Sequence, residues 1–339
     1  MKKEPLIIKD RSFTGERALF NTHNARIENC LFHDGESPLK ESSDLKLNKV
    51  TFQWKYPLWY VNNAVVSDSK LLESARSGIW YTNHLLMENC LIEAPKTFRR
   101  ASDITLVNCQ LPNASETFWK CKGIKLKDVT AKGDYFGMNS ENIEADNLTL
   151  DGNYLFDGGK NIVIKNSILN SKDSFWNVEN ATIINCKING EYLGWNSKNL
   201  TFIDCEISSL QGLCYIKGLK MINCKLLDTS LCFEYCEDID ADIVDTIESI
   251  KNPSSGVIRC KGYKELIVDE NKRGEAQHQP YEDGRKRRRR GRPLYRRPSE
   301  RRTDERRHHT DVAQPDMEPQ PRAALLSGPS LQHRLYTHP

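Results

Sequence analysis

One nine-residue phrase recurs along most of this chain. It runs from Asn180 to Ile188, again from Asn199 to Ile207, and again from Gly218 to Leu226, each time with Asn-Cys or Asp-Cys at its centre. Anchored on the cysteine position, it falls at Cys30, Val50, Ser69, Cys90, Cys109, Val129, Leu148, Ser167, Cys186, Cys205, Cys224 and Val244. The spacing is 19–21 residues throughout, with partial units near Arg11 and Leu266. Such a chain must stack one small unit on the next, so only repeat architectures remain open.

The columns of the repeat report their environments. With the anchor as position zero, columns −5, −3, 0 and +2 are almost wholly apolar or small, while −4 and −2 are mostly polar. Alternation of period two means strand. Column −6 is mostly Asn, Asp or Gly, and column −1 is Asn or Asp in ten of twelve copies. These residues tolerate the left-handed backbone of a turn, and stacked Asn side chains can bond one another as a ladder. Column −11 is a third inward set, from Leu19 to Phe233. The pattern predicts an all-β chain: a parallel β-helix of about twelve coils, roughly 60 Å long at about 4.8 Å per coil. A leucine-rich repeat also fits columns −5 to +2. It needs Leu at −8, where this chain has Thr22, Ser42, Val61, Thr82 and Ala101, and a convex segment with helical periodicity, which is missing.

The Asn185-Cys186-Lys187-Ile188 type of coil, the Phe175-Trp176-Asn177 and Tyr192-Leu193-Gly194-Trp195 segments, and the opening Ile8-Lys9-Asp10-Arg11-Ser12-Phe13 carry a resemblance. Over about residues 1–272 the chain resembles an uncharacterised bacterial family of single-stranded right-handed β-helix proteins in the pectin-lyase-like superfamily. The resemblance implies the fold and no catalytic residue. It also implies a ligand groove along the first parallel sheet, as in the superfamily's carbohydrate-active members, and columns −11 to −8 are read as that sheet.

Column −10 holds the best candidate site. It reads Phe20, Lys40, Trp59, Trp80, Arg99, Trp119, Met138, Asp157, Trp176, Trp195, Cys214 and Glu234. Beside the inward column −11 it is expected to face out, which places five of the six tryptophans on one line. Trp59, Trp80, Arg99, Trp119, Trp176 and Trp195 are therefore the expected ligand-binding residues, because exposed aromatic rows stack on sugar rings or bases. A covered patch or a face between two copies explains the same row. Asp134, Asp151 and Asp157, with Tyr135 and Tyr154 nearby, are the candidate catalytic carboxylates, since glycosidases need two about 5–9.5 Å apart. Turn formation accounts for them as well. Alternating charges, such as Lys122, Glu141, Lys160 and Glu179, read as cross-strand pairs.

The anchor cysteines are expected to be core thiols. Cys232 and Cys236, near Cys214, have metal-like spacing, but packing explains them, so no metal site and no cofactor is expected. There is no Gly-rich phosphate loop and no His-Glu-x-x-His or Gly-x-Ser-x-Gly motif, so no reaction is assigned. Uniform intervals leave no long insertion to carry a catalyst, which favours a binding surface or a structural rod.

Composition divides the chain. Residues 1–272 carry 33 Lys and Arg against 37 Asp and Glu, whereas residues 273–339 carry 16 against 9 and contain no Ile, Asn, Cys or Trp. That tail, with the basic run 285–290, is expected to be disordered. It reads either as an arm binding nucleic acid without sequence preference or as a frameshifted or fused end. No run of 18 apolar residues exists, so no membrane partner is expected. Met1-Lys2-Lys3-Glu4-Pro5 is not a signal peptide, so a cytoplasmic location is expected. The functional expectation is a carbohydrate-binding, conceivably carbohydrate-modifying, β-helix. The alternative is a non-catalytic scaffold or homo-oligomer using the same face.

Overall fold

The structure is a computed structural model and describes residues 4–269 and 332–337. Residues 4–269 form a parallel β-helix with no α-helix, in which each strand pairs with the equivalent strand one coil earlier and one coil later. The pairing carries the period of the sequence. Ile143 stands opposite Ile124 and Ile162, and Ile183 stands opposite Ile164 and Phe202.

The main sheet is built from columns −7 to −2, as in His23–Glu28, Ser43–Asn48 and Asn83–Glu88. A second, shorter sheet follows the anchor, as in Leu31–Phe32, Leu91–Ile92 and Lys187–Gly190. The coils number about fourteen, the twelve full units and the two flanking partial ones, since Leu6–Lys9 pairs with His23–Glu28 and Ser255–Ile267 with Ile239–Lys251. The third side differs from the expected sheet. Only Ile79–Trp80 and Phe98–Arg99 pair there as strands, and the rest is a stack of turns joined by backbone bonds from coil to coil. Its column −9 explains this: Asn21, Tyr60, Tyr81, Asn139, Asn177 and Tyr215 all have φ between 52° and 58°. The left-handed residue turns the chain immediately after positions −11 and −10, which leaves at most two residues there to pair as a strand.

The corners follow the same rule. Column −6 is left-handed in all twelve copies, from Asn24 at φ 50° to Asp238 at φ 53°. Column −1 is left-handed from Asn29 to Asn223, and the side chains there bond up the rod, as Asn108 donates to Asn89 at 2.8 Å and Asn223 to Asp204 at 2.6 Å. The last copy breaks the pattern. Column −1 there is Ile243, a β-branched residue that the left-handed region excludes. The corner is skipped, the strand runs straight from Ile239 to Lys251, and Ile243 rather than Val244 stands opposite Cys224. Val244 is 41% exposed, so the anchor of that coil is Ile243 and not the residue that spacing alone selects.

Inward columns form one core. Phe13, Phe32 and Phe52 stack at 4.9 and 5.0 Å between centroids, and Phe98 stacks on Phe118 at 4.4 Å. All eleven cysteines are buried and free. Burial pushes the thiols of Cys121 and Cys214 up to about 12, which keeps them protonated. Cys236 donates to the Leu213 carbonyl and Cys232 to that of Thr229. Among the described residues no group of His, Cys, Asp and Glu is arranged to hold a metal ion. Charged columns pair across strands, as Lys122 with Glu141 at 2.9 Å and Lys160 with Glu179 at 3.2 Å.

Among the described residues, no helix is long and apolar enough to cross a membrane. The basic run 285–290 lies outside the described residues. Within the tail, residues Gln332–Thr337 form a strand parallel to Ser255–Cys260.

Candidate functional site

The turn side of the β-helix carries a ridge made by columns −13, −10 and −9. The side chain at −10 lies along the turn and reaches position −13 of the next coil. Trp80 Nε1–H donates to the Lys96 carbonyl at 2.9 Å, and Trp176 Nε1–H to the Tyr192 carbonyl at 2.6 Å. The rings thus lie across the coils with their faces along the rod axis. Trp59 and Trp80 stack at 5.2 Å with 9° between planes. Tyr60 and Tyr81 stack beside them at 4.8 Å. Trp195 packs on Trp176 at 5.9 Å and on Tyr215 at 4.6 Å.

The row points away from the core, as expected, but it is partly covered. Trp59, Trp80, Trp119, Trp176 and Trp195 are half-buried: Trp59 packs on Trp80, Trp176 on Trp195, and Trp119 lies against Arg99 and Tyr135. Farther along the column Cys214 and Glu234 are buried. Ring contacts, and in Trp59, Trp80 and Trp176 an indole hydrogen bond to a backbone carbonyl, make these rings part of the fold.

Arg99 takes a ring's place in the row. Its guanidinium sits 4.8 Å from the Trp80 ring and 5.0 Å from the Trp119 ring. It also pairs with Glu116 at 3.0 Å, and Lys96 reaches the same carboxylate at 2.9 Å. Glu116 is position −13 of the next coil, so the cation and its carboxylate follow the geometry by which the tryptophans reach their carbonyls.

The row is interrupted once in its middle, at Met138 and Asp157. Column −13 is interrupted beside it, reading Tyr135, Tyr154, Asp173, Tyr192. Tyr135 and Tyr154 stack at 4.9 Å with 4° between planes, and Tyr154 meets Trp176 edge-on at 5.6 Å. Asp173 then stands where the next ring of the tyrosine stack would be. It is only 4% exposed, and among the described residues no group hydrogen-bonds its carboxylate. The hydroxyls of its neighbours Ser171 and Ser174 are also buried without a partner. Gly190 lets the next coil close over this turn, because a Cβ there would lie 1.8 Å from the Ser171 carbonyl oxygen.

Burial raises the pKa of both Asp157 and Asp173. The Asn177 amide, donating to Asp157 at 2.9 Å, and the Lys172 ammonium, near Asp173, work in the opposite direction. Tyr154 is also raised, by burial first and then by the charge of Asp173, with smaller contributions that include Asp157. Lys172 is itself paired with Glu191 at 3.4 Å. Elsewhere on the ridge, buried carboxylates are partnered: Glu234 holds Lys251 at 2.9 Å and Gln211 at 3.0 Å.

Of the three candidate catalytic carboxylates, only Asp157 belongs to this notch. Asp134 is exposed and accepts the Asn153 backbone N–H at 2.8 Å, which is a turn contact. Asp151 accepts from Asn170 at 2.6 Å, and Asn170 accepts from Asn189 at 2.9 Å, so it starts a side-chain ladder. Asp173 was missed, although a carboxylate between Tyr154 and Tyr192 in column −13 was the signal for it.

Several solved structures are similar to this chain at low identity. One is a surface adhesin of Streptococcus pneumoniae, PfbA, with 11% identity and a TM-score of 0.34 over 77% of this chain and 82% of that one. The A-module of the Azotobacter vinelandii mannuronan C-5 epimerase AlgE4 has 7% identity and a TM-score of 0.30 over 78% and 87%. The fluoroquinolone resistance protein QnrB1 has 15% identity and a TM-score of 0.18 over 64% and 90%. No curated protein matches the sequence. A family model described as a protein of unknown function, DUF3737, matches residues 6–279, and the chain belongs to that family.

Proposed function

We propose that the turn-side ridge is a carbohydrate-binding face centred on the notch at Asp157 and Asp173. One observation carries this reading. From Trp59 to Trp195, column −10 has neither an aromatic ring nor the stacked arginine only at Met138 and Asp157, and this gap lies beside Asp173, a buried carboxylate to which no group hydrogen-bonds among the described residues, and the buried unpartnered hydroxyls of Ser171 and Ser174. Buried polar groups are nearly always paired, so an unpaired set beside aromatic rings suits a ligand that brings its own hydroxyls. The rings supply apolar walls, with Tyr154 and Trp176 lying against each other at the notch. Binding is the activity favoured, because Asp157 is the only one of the candidate catalytic carboxylates placed at this site.

The test is a glycan array on the full chain, followed by titration with tryptophan fluorescence as the readout. Binding that is lost in Asp173→Asn and retained in Asp134→Asn supports the reading. An absence of any glycan response, or a response indifferent to both substitutions, overturns it.

A second reading keeps the same face as a contact between copies or with another protein. It is favoured by the mutual stacking of the tryptophans, which leaves ring edges rather than faces outward. Light scattering across a concentration series separates the two readings, because only this one ties the Trp176 and Trp195 edges to a change in mass.

A further inference from the structure

The ridge contains its own example of what fits between its rungs. At Arg99, a guanidinium occupies a ring's place between Trp80 and Trp119 and is neutralised by the −13 carboxylate of the next coil, Glu116. The notch repeats this arrangement with the cation missing. Asp157 holds the −10 place and Asp173 the −13 place one coil on, with Tyr154 and Trp176 as aromatic neighbours. Glu116 receives two cationic side chains, whereas no side chain hydrogen-bonds the Asp173 carboxylate among the described residues. The nearest lysine, Lys172, is exposed and engaged by Glu191.

A carboxylate withdrawn from water without a cation is costly, and removal of that cost favours a ligand that supplies one. Aromatic rings beside a carboxylate recognise organic cations through ring quadrupole and charge together. We propose that the notch at Asp157 and Asp173 binds an ammonium group carried on a sugar ring, so that the ligand class is a glycan with free amino groups. This rests on the carbohydrate reading above and narrows it. The ammonium takes the role that the Arg99 guanidinium plays three coils below, and the ring's apolar face lies against Tyr154 and Trp176. The unpartnered hydroxyls of Ser171 and Ser174 belong to the same turn as Asp173.

The experiment compares three oligosaccharides of equal length on the full chain: a glucosamine tetramer, its N-acetylated form and a glucose tetramer. Tryptophan fluorescence and calorimetry are the readouts, and arginine methyl ester serves as a cation without sugar. The glucosamine tetramer is expected to bind at least tenfold tighter than the other two, and Asp173→Asn is expected to remove that preference. Thermal melting confirms that the variant is folded, and Asp134→Asn, outside the ridge columns, is the control that leaves the preference intact. Equal binding of all three tetramers overturns the ammonium site and leaves the carbohydrate reading standing. Binding of arginine methyl ester with no response to any tetramer overturns the carbohydrate reading and keeps a cation site. No response to any of the four ligands overturns both.

Discussion

The hydroxyl of Ser167 donates to the Lys165 carbonyl at 2.6 Å, closing the corner between the two sheets. Cysteines at the same column do this with their thiols: Cys205 donates to the Ile203 carbonyl at 3.3 Å and to the Ile183 carbonyl of the coil below at 3.4 Å. Column −8 repeats the device at the next corner, where Ser140 donates to Phe118 and Ser197 to Phe175, both at 2.6 Å. The small buried residues of these columns are therefore hydrogen-bond donors as well as packing.

Serine should accordingly replace cysteine at little cost, because its hydroxyl finds the same carbonyl acceptors. Cys205→Ser is expected to change the unfolding free energy by less than about 1 kcal/mol, and Cys205→Ala to cost about 1–2 kcal/mol through lost packing and a lost bond. Urea denaturation measures both. The native protein should react slowly with a thiol reagent, since every cysteine is buried.

The left-handed corners set a second expectation. Asn185 has φ 52° and donates to Asn166 at 2.7 Å. Asn185→Val forces a β-branched residue into that region and should cost about 2 kcal/mol, whereas Asn185→Gly should cost less than about 1 kcal/mol. Equal losses in urea titrations would show that the amide ladder, and not the backbone, governs the corner.

Trp80 should matter to folding. It stacks on Trp59, lies against Arg99 and donates its indole N–H to the Lys96 carbonyl. Trp80→Ala is expected to cost about 2–4 kcal/mol, and Trp80→Phe about half of that. A melting temperature unchanged in Trp80→Ala would mean that the ring contributes only surface.

Asp173→Asn should stabilise the protein near neutral pH. The folded-state pKa of Asp173 is raised above the ordinary 3.8 by burial, so ionisation costs more in the folded chain than in the unfolded one. The favourable contribution of this carboxyl is complete below the unfolded pKa and is lost as pH rises through the folded one. The gain from Asn is thus expected at pH 7, at about 1–2 kcal/mol for relief of an unpaired buried group, and should vanish at pH 3. Melting curves at the two pH values check it.

Much of this protein was legible because a coil has few degrees of freedom. Two corner columns must be left-handed in nearly every turn, which restricts them to Asn, Asp and Gly with few exceptions, and the strands between them must alternate inward and outward. Thus Asn185, Asn199 and Ile183 announce corner, turn and core before any coordinates exist. The sequence by itself determined the period, the corners and the inward columns, because these depend only on backbone conformation within one repeat. Tertiary structure alone decided what covers each outward residue. Trp176 faces away from the core yet is half-buried, because its side chain runs along the turn to Tyr192 one coil later. Asp173 occupies an outward column and is nevertheless buried, with taller tyrosines before and after it in that column. Ile243 displaced the last anchor because a strand that skips its corner re-registers against its neighbour. Column spacing fixes which way a side chain leaves the backbone, whereas burial depends on the length and tilt of side chains in the adjoining coils.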